Sequence, residues 1–434
     1  MFGIVSIIKF VNKFANYRYV VNSDINNLEI IINIFELDNF ELEIEISKIK
    51  STISTYSNIT GYEIYFDNNI NTFNKNKIIT KVNDVLYTFN PKSKPVVIFN
   101  VEKETELLYN QITEFKNIVM QPPPQKNNLS YLNYVKNNIP DGYTSKIYNI
   151  SCEDREKFPL SYYVNKGSNE MAYFVHIYPK CIDKKNKDIF LIGKAVTFDT
   201  GGINLKILLL EDLKIDMTGS AMLLRTLDLL NETNNDNNLN INLLIPIVVN
   251  DIGPNSYLPG SVLKATNNKT IEIINTDAEG RLTIVDALNF INLYLVKELD
   301  IDFNKSLIMD VSTLTGNVSL ITGNYSSVIM SNEKGKIYSE KLISIGNEVA
   351  EYLQNIELRP QVLINLKTPN ADISNISLSL AANCLVGGVF INYFCNNNIP
   401  WIHIDIGITT YKNRVQSSYG INLLFEFFKT INNS

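Results

Sequence analysis

Beyond residue 128 the sequence alternates between short apolar runs and segments with helical spacing, and this alternation restricts the fold more than any other feature. The apolar runs are DIFLI, INLLIPIVV, TIEII, SLIMDV and PWIHIDIG. Helices are predicted from about Met217 to Leu230 and from Leu282 to about Val296. Short apolar strands separated by helices indicate an α/β protein with a mostly parallel central sheet flanked by helices. Pro246 within INLLIPIVV favours a place near the sheet edge for that strand.

The chain divides near residue 121. With 434 residues it is longer than a typical single core allows. EKETELLYNQITEFKNIVM has helical spacing, and the prolines of QPPPQKNN cannot continue that helix. We predict a smaller N-terminal α/β domain over residues 1–121, including a linker helix over about 103–121, and a larger domain over residues 122–434. In the first domain, VLYTF and PVVIF are predicted strands.

Composition argues against several classes of protein. The net charge of -6, without a dense Lys/Arg stripe, gives no attraction for nucleic acid. No run of about 18 apolar residues occurs, so no membrane span is expected, and we interpret the first 20 residues as folded protein. The cysteines match no metal or redox spacing and suggest no disulfide scaffold, which favours a reducing, cytoplasmic location.

Charged residues cluster where the predicted strands end. Lys194 and Asp199 follow DIFLI, Asp277 and Glu279 follow TIEII, and a TLTG turn at 313–316 follows SLIMDV. In open α/β sheets, ligands bind outside the carboxyl ends of the strands. Three strands should therefore bring polar groups to one edge.

Further charges come from the loops around this edge. Lys206 follows a Gly-Gly pair, Asp216 precedes a helix, and Arg281 follows Glu279. Taken singly, Asp216 could cap one helix and Asp277 or Glu279 the next, each lysine could lie on the surface, and Arg281 could form a first-turn salt bridge. Taken together in apolar surroundings, such charges must be paired or bound to metal, and we favour a metal site.

The available ligands limit which metal site is possible. His176 and His403 both lie inside predicted strands, and we interpret them as core histidines. A carboxylate-rich site suits two close divalent ions, which can hold a water and polarise a carbonyl or phosphoryl oxygen. Spacing alone leaves amide hydrolysis and phosphoryl transfer both open.

Five segments resemble a known motif series. IGKAVTFDTGGINLK, DMTGSA, NTDAEGRL, STLTG and WIHIDIG are similar, in order and spacing, to those of the leucyl aminopeptidase family, the two-metal M17 peptidases. The resemblance covers about residues 104–434, whereas the first hundred residues resemble the family only in position and size. It implies a metallo-exopeptidase that removes an N-terminal leucine or another apolar residue from peptides.

The resemblance also implies a role for each metal-site residue. Asp199 and Glu279 would bridge two divalent ions, Zn²⁺ or Mn²⁺. Lys194 and Asp216 would complete one site, and Asp277 would complete the other. A lysine ligand must be neutral, which close cations enforce by lowering its pKa.

The remaining site residues follow from the same resemblance. Lys206 would stabilise the oxyanion of the tetrahedral intermediate, and Arg281 would hold a bicarbonate ion that serves as general base. Leu213, Thr313 and Gly316 would line the substrate pocket. The family resemblance also implies a homohexamer.

Several positions depart from the family pattern. Ile207 replaces the usual proline, and the loop to Asp216 is one residue shorter. ISLSLAANCLVGG follows Asn375 where a GGRPGGA-like stretch is usual, and the segment near 417–421 is shortened. Two alternatives are a catalytically silent scaffold or binding homologue and a two-metal phosphoesterase. The complete set of seven polar residues favours an enzyme over the scaffold.

Overall fold

The computed structural model contains two compact units. It describes residues 4–11, 13, 18–23, 27–55, 59–87, 96–151, 153–236, 238–377, 383–407, 409–412 and 414–432. Unit 1 comprises residues 1–117 and 417–422, and unit 2 comprises residues 118–416 and 423–434. The predicted two-domain α/β fold is confirmed, while the assignment of residues 122–434 as a catalytic domain stays a proposal.

Unit 1 is built on a sheet with the strand order β2-β3-β1-β4-β5. Strand β1 pairs in parallel with β3 and β4, whereas β2 pairs with β3 antiparallel. The residues of PVVIF that are described, 96–99, form a strand as predicted, whereas Pro95 lies outside the described part. VLYTF is not a strand where it is described, because Val85 and Leu86 end a helix; residues 88–90 lie outside the described part. The strands are β1 Ile4–Val11, β2 Tyr19–Ser23, β3 Asn27–Asn33, β4 Ile59–Phe66 and β5 Val96–Asn100.

Unit 2 contains the central sheet, which has nine strands within the described residues. Its order is β15-β14-β17-β13-β8-β10-β7-β6, and β9 also pairs with β10. Strands β17, β13, β8 and β10 run parallel, so the prediction of a mostly parallel sheet is confirmed. The strands are β6 Tyr143–Asn149, β7 Tyr173–Pro179, β8 Lys187–Gly193, β9 Ala195–Asp199, β10 Leu239–Asn250, β11 Val262–Lys264, β12 Thr270–Glu272, β13 Ser306–Ser312, β14 Ser327–Ser331, β15 Leu353–Asn355, β16 Ile373–Ser374, β17 Trp401–Asp405, β18 Tyr411–Lys412 and β19 Val415–Gln416.

The helices follow the predicted spacing. The helix predicted near Met217 spans Thr218–Glu232, and the next begins at Gly280 and continues through a π-helical segment, Ile291–Leu295. The predicted linker helix spans Lys103–Met120. The helices are α1 Asn39–Ser54, α2 Thr72–Leu86, α3 Lys103–Met120, α4 Asn128–Asn137, α5 Pro159–Asn165, α6 Thr218–Glu232, α7 Gly280–Phe290, α8 Val296–Glu298, α9 Val318–Thr322, α10 Lys336–Val349, α11 Asn383–Asn392 and α12 Ile421–Asn432.

Helices cover both faces of the central sheet. On one face, Phe190 and Ile192 of β8 belong to the same buried core as Leu282 and Val285 of α7. Alternate residues of a strand point to opposite faces, so the buried Leu191 faces the other side, where α6 contacts β8. Burial on both faces explains why these strands read as almost uninterrupted apolar runs.

The edge position expected for the Pro246 strand is wrong. Strand β10 lies inside the sheet, between β8 and β7. Its parallel pairing with β8 ends at Leu244, and its pairing with β9 begins at Ile247. Pro246 therefore falls in a gap in the parallel ladder, where a residue without an N–H group is tolerated.

The expectation that TIEII belongs to the central sheet is also wrong. Thr270–Glu272 forms β12 of a separate three-stranded sheet, with β11 and β16 as its neighbours. Asp277 and Glu279 thus reach the site from a small sheet, while Lys194 and Asp199 reach it from the central one. A short apolar run carries no information about which sheet it joins.

Both histidines lie in strands, as predicted. The buried His176 donates from Nε2 to Asn242 Oδ1 at 2.8 Å. Burial, together with the charge of Lys146, lowers the pKa of His176 to about 4. His403 is buried against Asp310, and the carboxylate of Asp310 also accepts a hydrogen bond from Trp401 Nε1 at 2.9 Å.

Among the described helices, none is long and apolar enough to cross a bilayer.

His176 should make the protein sensitive to acid. The unfolded chain takes up a proton near pH 6.5 and the folded chain only near pH 4, so stability is present above pH 6.5 and is lost between these values. Over this window, wild type should lose roughly 3 kcal/mol more unfolding free energy than His176→Gln. Urea denaturation at a series of pH values measures the difference. Equal losses in both proteins would contradict a neutral, buried His176.

Candidate metal centre

A cavity of about 670 Å³ in unit 2 collects the site residues that the sequence predicts. The cavity opens at the carboxyl end of β9 and beside the turn that follows β13. All ten predicted residues line it: Lys194, Asp199, Lys206, Leu213, Asp216, Asp277, Glu279, Arg281, Thr313 and Gly316.

Lys194 lies at the break between β8 and β9. Its backbone N–H donates to Val311 O on β13 at 3.2 Å, which keeps the residue in the sheet. Its buried Nζ lies 2.9 Å from Asp216 Oδ2 and 2.9 Å from Glu279 Oε1. Lys194 Nζ also donates a hydrogen bond to Thr313 O at 3.1 Å. Lys194 thus joins acids that come from two different loops.

Gly280 makes room for the Lys194 side chain. A Cβ atom at this position would lie 2.6 Å from Lys194 Nζ and 2.6 Å from its Cε. Even alanine would therefore displace the lysine or the first turn of α7. The glycine between Glu279 and Arg281 in the sequence is explained by this close approach.

Asp199, Lys206 and Asp277 form the second half of the cluster. The Lys206 ammonium donates to Asp199 Oδ2 and to Asp277 Oδ1. Asp199 Oδ1 accepts from Gly201 N at 3.0 Å, in a turn where Gly201 has a left-handed φ of 87°. A side chain at residue 201 would be strained, so the turn around Asp199 requires glycine.

The loop after β9 is hydrogen-bonded to the NTDAEG turn. Thr276 Oγ1 donates to Gly201 O at 2.6 Å and accepts from Asn204 N at 2.9 Å. Thr276 N donates to Asn204 Oδ1 at 2.8 Å. The loops that carry Asp199 and Asp277 are therefore held in one fixed arrangement.

Asp216 and Glu279 do not cap the helices that follow them. Among the described residues, neither α6 nor α7 has a side-chain hydrogen bond from its N-cap residue. Asp216 Oδ1 instead accepts from Thr313 Oγ1 at 2.6 Å. The capping alternative for these acids is wrong, because their carboxylates point to the lysines and to the TLTG turn.

Asn250 is a site residue that sequence reasoning missed. Its buried Nδ2 donates to Asp199 Oδ1 at 2.8 Å and to Thr276 O at 3.0 Å, and it lies 3.4 Å from Glu279 Oε2. One amide group therefore orients both carboxylates that are expected to be shared between two ions. Its position at the end of β10, where other strands also deliver polar groups, was the available signal.

Asp405 is a second missed residue, and it shapes the TLTG turn. Its buried Oδ1 accepts from Leu314 N at 3.1 Å and from Thr315 N at 3.3 Å, and its Oδ2 accepts from Thr315 Oγ1 at 2.6 Å. The turn thereby presents Thr313 to Asp216 and to Lys194. Asp405 ends WIHID, so its place after an apolar strand was again visible in the sequence.

Arg281 is buried at the wall of the cavity. Its Nη1 donates to Asn375 O at 2.6 Å, while its Nε has no partner in the described part of the chain. Burial lowers the pKa of Arg281 to about 10. A guanidinium with donors to spare in a polar cavity is suited to an anion.

The cluster has more acid than base. Asp199, Asp216, Asp277 and Glu279 form ion pairs with Lys194 and Lys206, and Arg281 is the further cation that acts on Glu279 among the described residues. Burial raises the pKa of Asp216 to about 8, and burial together with Glu279 raises the pKa of Asp199. Burial alone would also raise the pKa of Glu279, but Lys194 and Lys206 lower it to about 2.

The donor set fits divalent cations. Carboxylate oxygens of Asp199, Asp277 and Glu279 lie within 4.8 Å of one another, and no other such group occurs in the described part of the chain. The Lys206 ammonium already places positive charge between two of these acids. Hard divalent ions prefer such oxygen ligands, and binding would compensate the excess of carboxylates.

Comparison with known proteins agrees with this geometry. Residues 114–424 match the model of the cytosol aminopeptidase family, catalytic domain. The chain belongs to the cytosol aminopeptidase family. The match contains every residue of the cavity described above, so the resemblance of the five motifs is confirmed at the level of the family.

Curated relatives cover different shares of the chain. A probable cytosol aminopeptidase of Persephonella marina is 32% identical over 268 residues, 61% of this chain and 51% of that protein. One from Prochlorococcus marinus (strain AS9601) is 30% identical over 410 residues, 91% of this chain and 77% of that protein. The chain spans about half the length of the first curated relatives it matches.

A solved structure supports the fold. The bottromycin maturation enzyme BotP in complex with Mn superposes with a TM-score of 0.83, covering 99% of this chain and 100% of that one. At 17% sequence identity this similarity shows the fold alone. BotP thus shares the fold of this chain over nearly its whole length.

Asn250→Ala should weaken metal binding. The substitution removes the amide that orients Asp199 and Glu279, and losses of such supporting hydrogen bonds cost roughly 10- to 100-fold in metal affinity. Titration calorimetry with Mn²⁺ measures the change. Asn240→Ala is the matched control, since this buried asparagine of β10 donates to Asp183 and Asp188 instead. Equal affinities for both variants would show that Asn250 does not orient the ligands.

Proposed function

We propose that the chain is a metal-dependent aminopeptidase that releases the N-terminal residue, preferably leucine or another apolar residue, from peptides. The observation that carries this proposal is the joint position of the seven predicted polar residues around one cavity of a cytosol aminopeptidase family domain. We assign this catalytic function to the domain formed by residues 122–434. A cytoplasmic location accords with the family name.

Five residues would hold two divalent ions, Zn²⁺ or Mn²⁺. Asp199 and Glu279 would be shared, Lys194 and Asp216 would complete one site, and Asp277 would complete the other. When bound, the ions would supply Lewis acidity and a nucleophile that is available at neutral pH. BotP, which has a similar fold, was solved in complex with Mn, and this supports Mn²⁺ as one of the candidate ions.

Lys206 would act on the substrate carbonyl. Its ammonium group lies at the partly exposed side of the cluster, against Asp199 and Asp277, and its side chain lines the cavity. From this position it would donate a hydrogen bond to the carbonyl oxygen of the scissile peptide group. Stabilising the negative charge that develops there is worth roughly 100- to 1,000-fold in rate for a single donor.

Arg281 would hold an anion beside the reacting bond. Its buried position, its hydrogen bond to Asn375 O and its unpartnered Nε support binding of bicarbonate. Bound bicarbonate supplies a general base. The chain's own contribution is the fixed, positively charged guanidinium that orients this anion.

The first substrate side chain would occupy the apolar part of the cavity. Leu213, Thr313 and Gly316 all line it, and a neutral wall of this kind suits leucine better than a charged residue. A Cβ at Gly316 would meet nothing within 4 Å, so this residue borders open space in the cavity.

Hydrolysis of leucine amide tests the proposed function. Purified protein should lose activity on chelation and regain it with Mn²⁺, Zn²⁺ or Co²⁺, whereas Glu279→Gln should stay at background because it removes a charged ligand. Glu298→Gln, on an exposed residue of α8, is the control and should behave as wild type. Metal binding without turnover of leucine amide would favour the scaffold alternative, and turnover of phosphate esters alone would favour the phosphoesterase.

Lys206→Ala should lower kcat far more than it raises KM. Its hydrogen bond is expected to strengthen as charge develops on the carbonyl oxygen, so kcat should fall roughly 100- to 1,000-fold. Steady-state kinetics with leucine amide separate the two parameters. Lys214→Ala, in the same loop, should leave kcat unchanged. A change in KM alone would assign Lys206 to ground-state binding.

The protein should form a homohexamer, as expected for the family. Light scattering at working concentration should give a mass about six times the 49.3 kDa of one chain. A mass of one chain would contradict the hexamer without affecting the proposed chemistry.

A further inference from the structure

Four consecutive apolar side chains lie exposed directly after Lys206. We call residues 207–210 the rim segment, with the sequence Ile-Leu-Leu-Leu. Their exposed fractions are 83% for Ile207, 75% for Leu208, 63% for Leu209 and 49% for Leu210. Single exposed apolar residues are common, but a contiguous group of this size marks a binding surface.

The rim segment belongs to the loop that carries the site residues. The chain leaves the metal cluster at Lys206, passes through the rim segment and returns to the cluster at Asp216. Leu208 and Leu209 line the same cavity as these two residues, whereas Ile207 and Leu210 do not, among the described residues. Two leucines therefore face the cavity, and two apolar neighbours do not.

The apolar residues of this loop that line the cavity differ in burial. Ile215 is buried next to Asp216, Leu213 is half-buried, and Leu208 and Leu209 are exposed. Burial therefore decreases along the loop from Asp216 back to the rim segment, and Leu208 and Leu209 form the solvent-exposed end of this apolar wall.

Two contacts brace the loop from the far side. Tyr411 of β18 donates to Asp212 Oδ1 at 2.8 Å, and Arg414 Nη2 lies 2.5 Å from Glu211 Oε1. Both Tyr411 and Arg414 line the cavity as well. These contacts connect Glu211 and Asp212, which directly follow the rim segment, to two residues of the cavity wall.

Leu209 adopts a strained backbone conformation. Its φ is 53°, in the left-handed region, which is costly for a residue with a Cβ. Leu209 directly precedes the 3₁₀ helix Leu210–Ile215. Backbone strain of this kind is concentrated at active sites and ligand-binding segments.

We propose that Leu208 and Leu209 bind the side chain of the residue that follows the scissile bond, and that the preferred substrates begin with two apolar residues. The inference rests on the proposed aminopeptidase function. With the N-terminal residue at the metal cluster and its carbonyl at Lys206, the next residue lies toward the cavity mouth. The rim segment begins directly after Lys206, so its cavity-facing leucines lie only two and three residues along the chain from the lysine proposed to bind that carbonyl.

The dipeptides Leu-Leu and Leu-Ser test this inference, with leucine amide as a substrate that has no second side chain. Wild type should show a kcat/KM about tenfold higher for Leu-Leu than for Leu-Ser, the scale expected for one apolar side chain in a partly open pocket. The double variant Leu208→Ser/Leu209→Asn should reduce this ratio to near one. Asparagine is chosen at residue 209 because it tolerates a left-handed backbone.

Ile207→Ser is the matched control. It removes the most exposed apolar side chain of the rim segment without altering the cavity wall. The Leu-Leu to Leu-Ser ratio should therefore stay at its wild-type value. A ratio that falls equally in Ile207→Ser and in the double variant would overturn the assignment to Leu208 and Leu209.

The outcomes separate this inference from the function on which it rests. Turnover of leucine amide with equal kcat/KM for the two dipeptides would overturn the inference alone. No turnover of any of the three substrates would overturn both. If the double variant keeps the wild-type ratio but changes the light-scattering mass, the rim segment is covered by a second copy of the chain and not by substrate.

Discussion

Compensation of buried negative charge is the interaction on which the site depends. Asp199, Asp216 and Glu279 are buried in unit 2, where isolated carboxylates would be strongly unfavourable. Lys194 contacts two of them, and Lys206 contacts the third together with Asp277. The lysines offset only part of this charge, and divalent cations would supply the remainder. A cluster of this kind costs folding stability, and strongly perturbed charges of this type are concentrated at functional sites.

The surrounding fold provides a rigid frame for these charges. Lys194 lies at a break between two strands, Gly280 leaves room for its side chain, and Asn250 orients two carboxylates from the end of a third strand. Asp405 holds the turn that presents Thr313. Catalytic geometry requires supporting hydrogen bonds of this type, because small displacements of ligands weaken both metal binding and rate.

The sequence allowed the α/β class, the parallel strands and the clustering of seven polar residues to be predicted for physical reasons, while Leu213, Thr313 and Gly316 were assigned to the pocket by the family resemblance. Strands buried on both faces leave uninterrupted apolar runs, and ligand sites form where such strands end. Pairing between distant strands leaves no local trace, so the interior place of the Pro246 strand and the separate sheet of TIEII were missed. The roles of Asn250 and Gly280 depend on contacts between residues that are distant in the sequence. These contacts cannot be predicted from the residue types alone.

Crystallographic location of bound Mn²⁺ by anomalous scattering tests the central claim most directly. The account predicts two ions per chain in the cavity, with Asp199 and Glu279 as shared ligands and the Lys206 ammonium released from Asp199 and Asp277. Crystals of Glu279→Gln grown with the same Mn²⁺ concentration should lose at least one ion. Wild-type crystals without an anomalous peak in the cavity, with Lys206 still bound to both aspartates, would contradict a two-metal site.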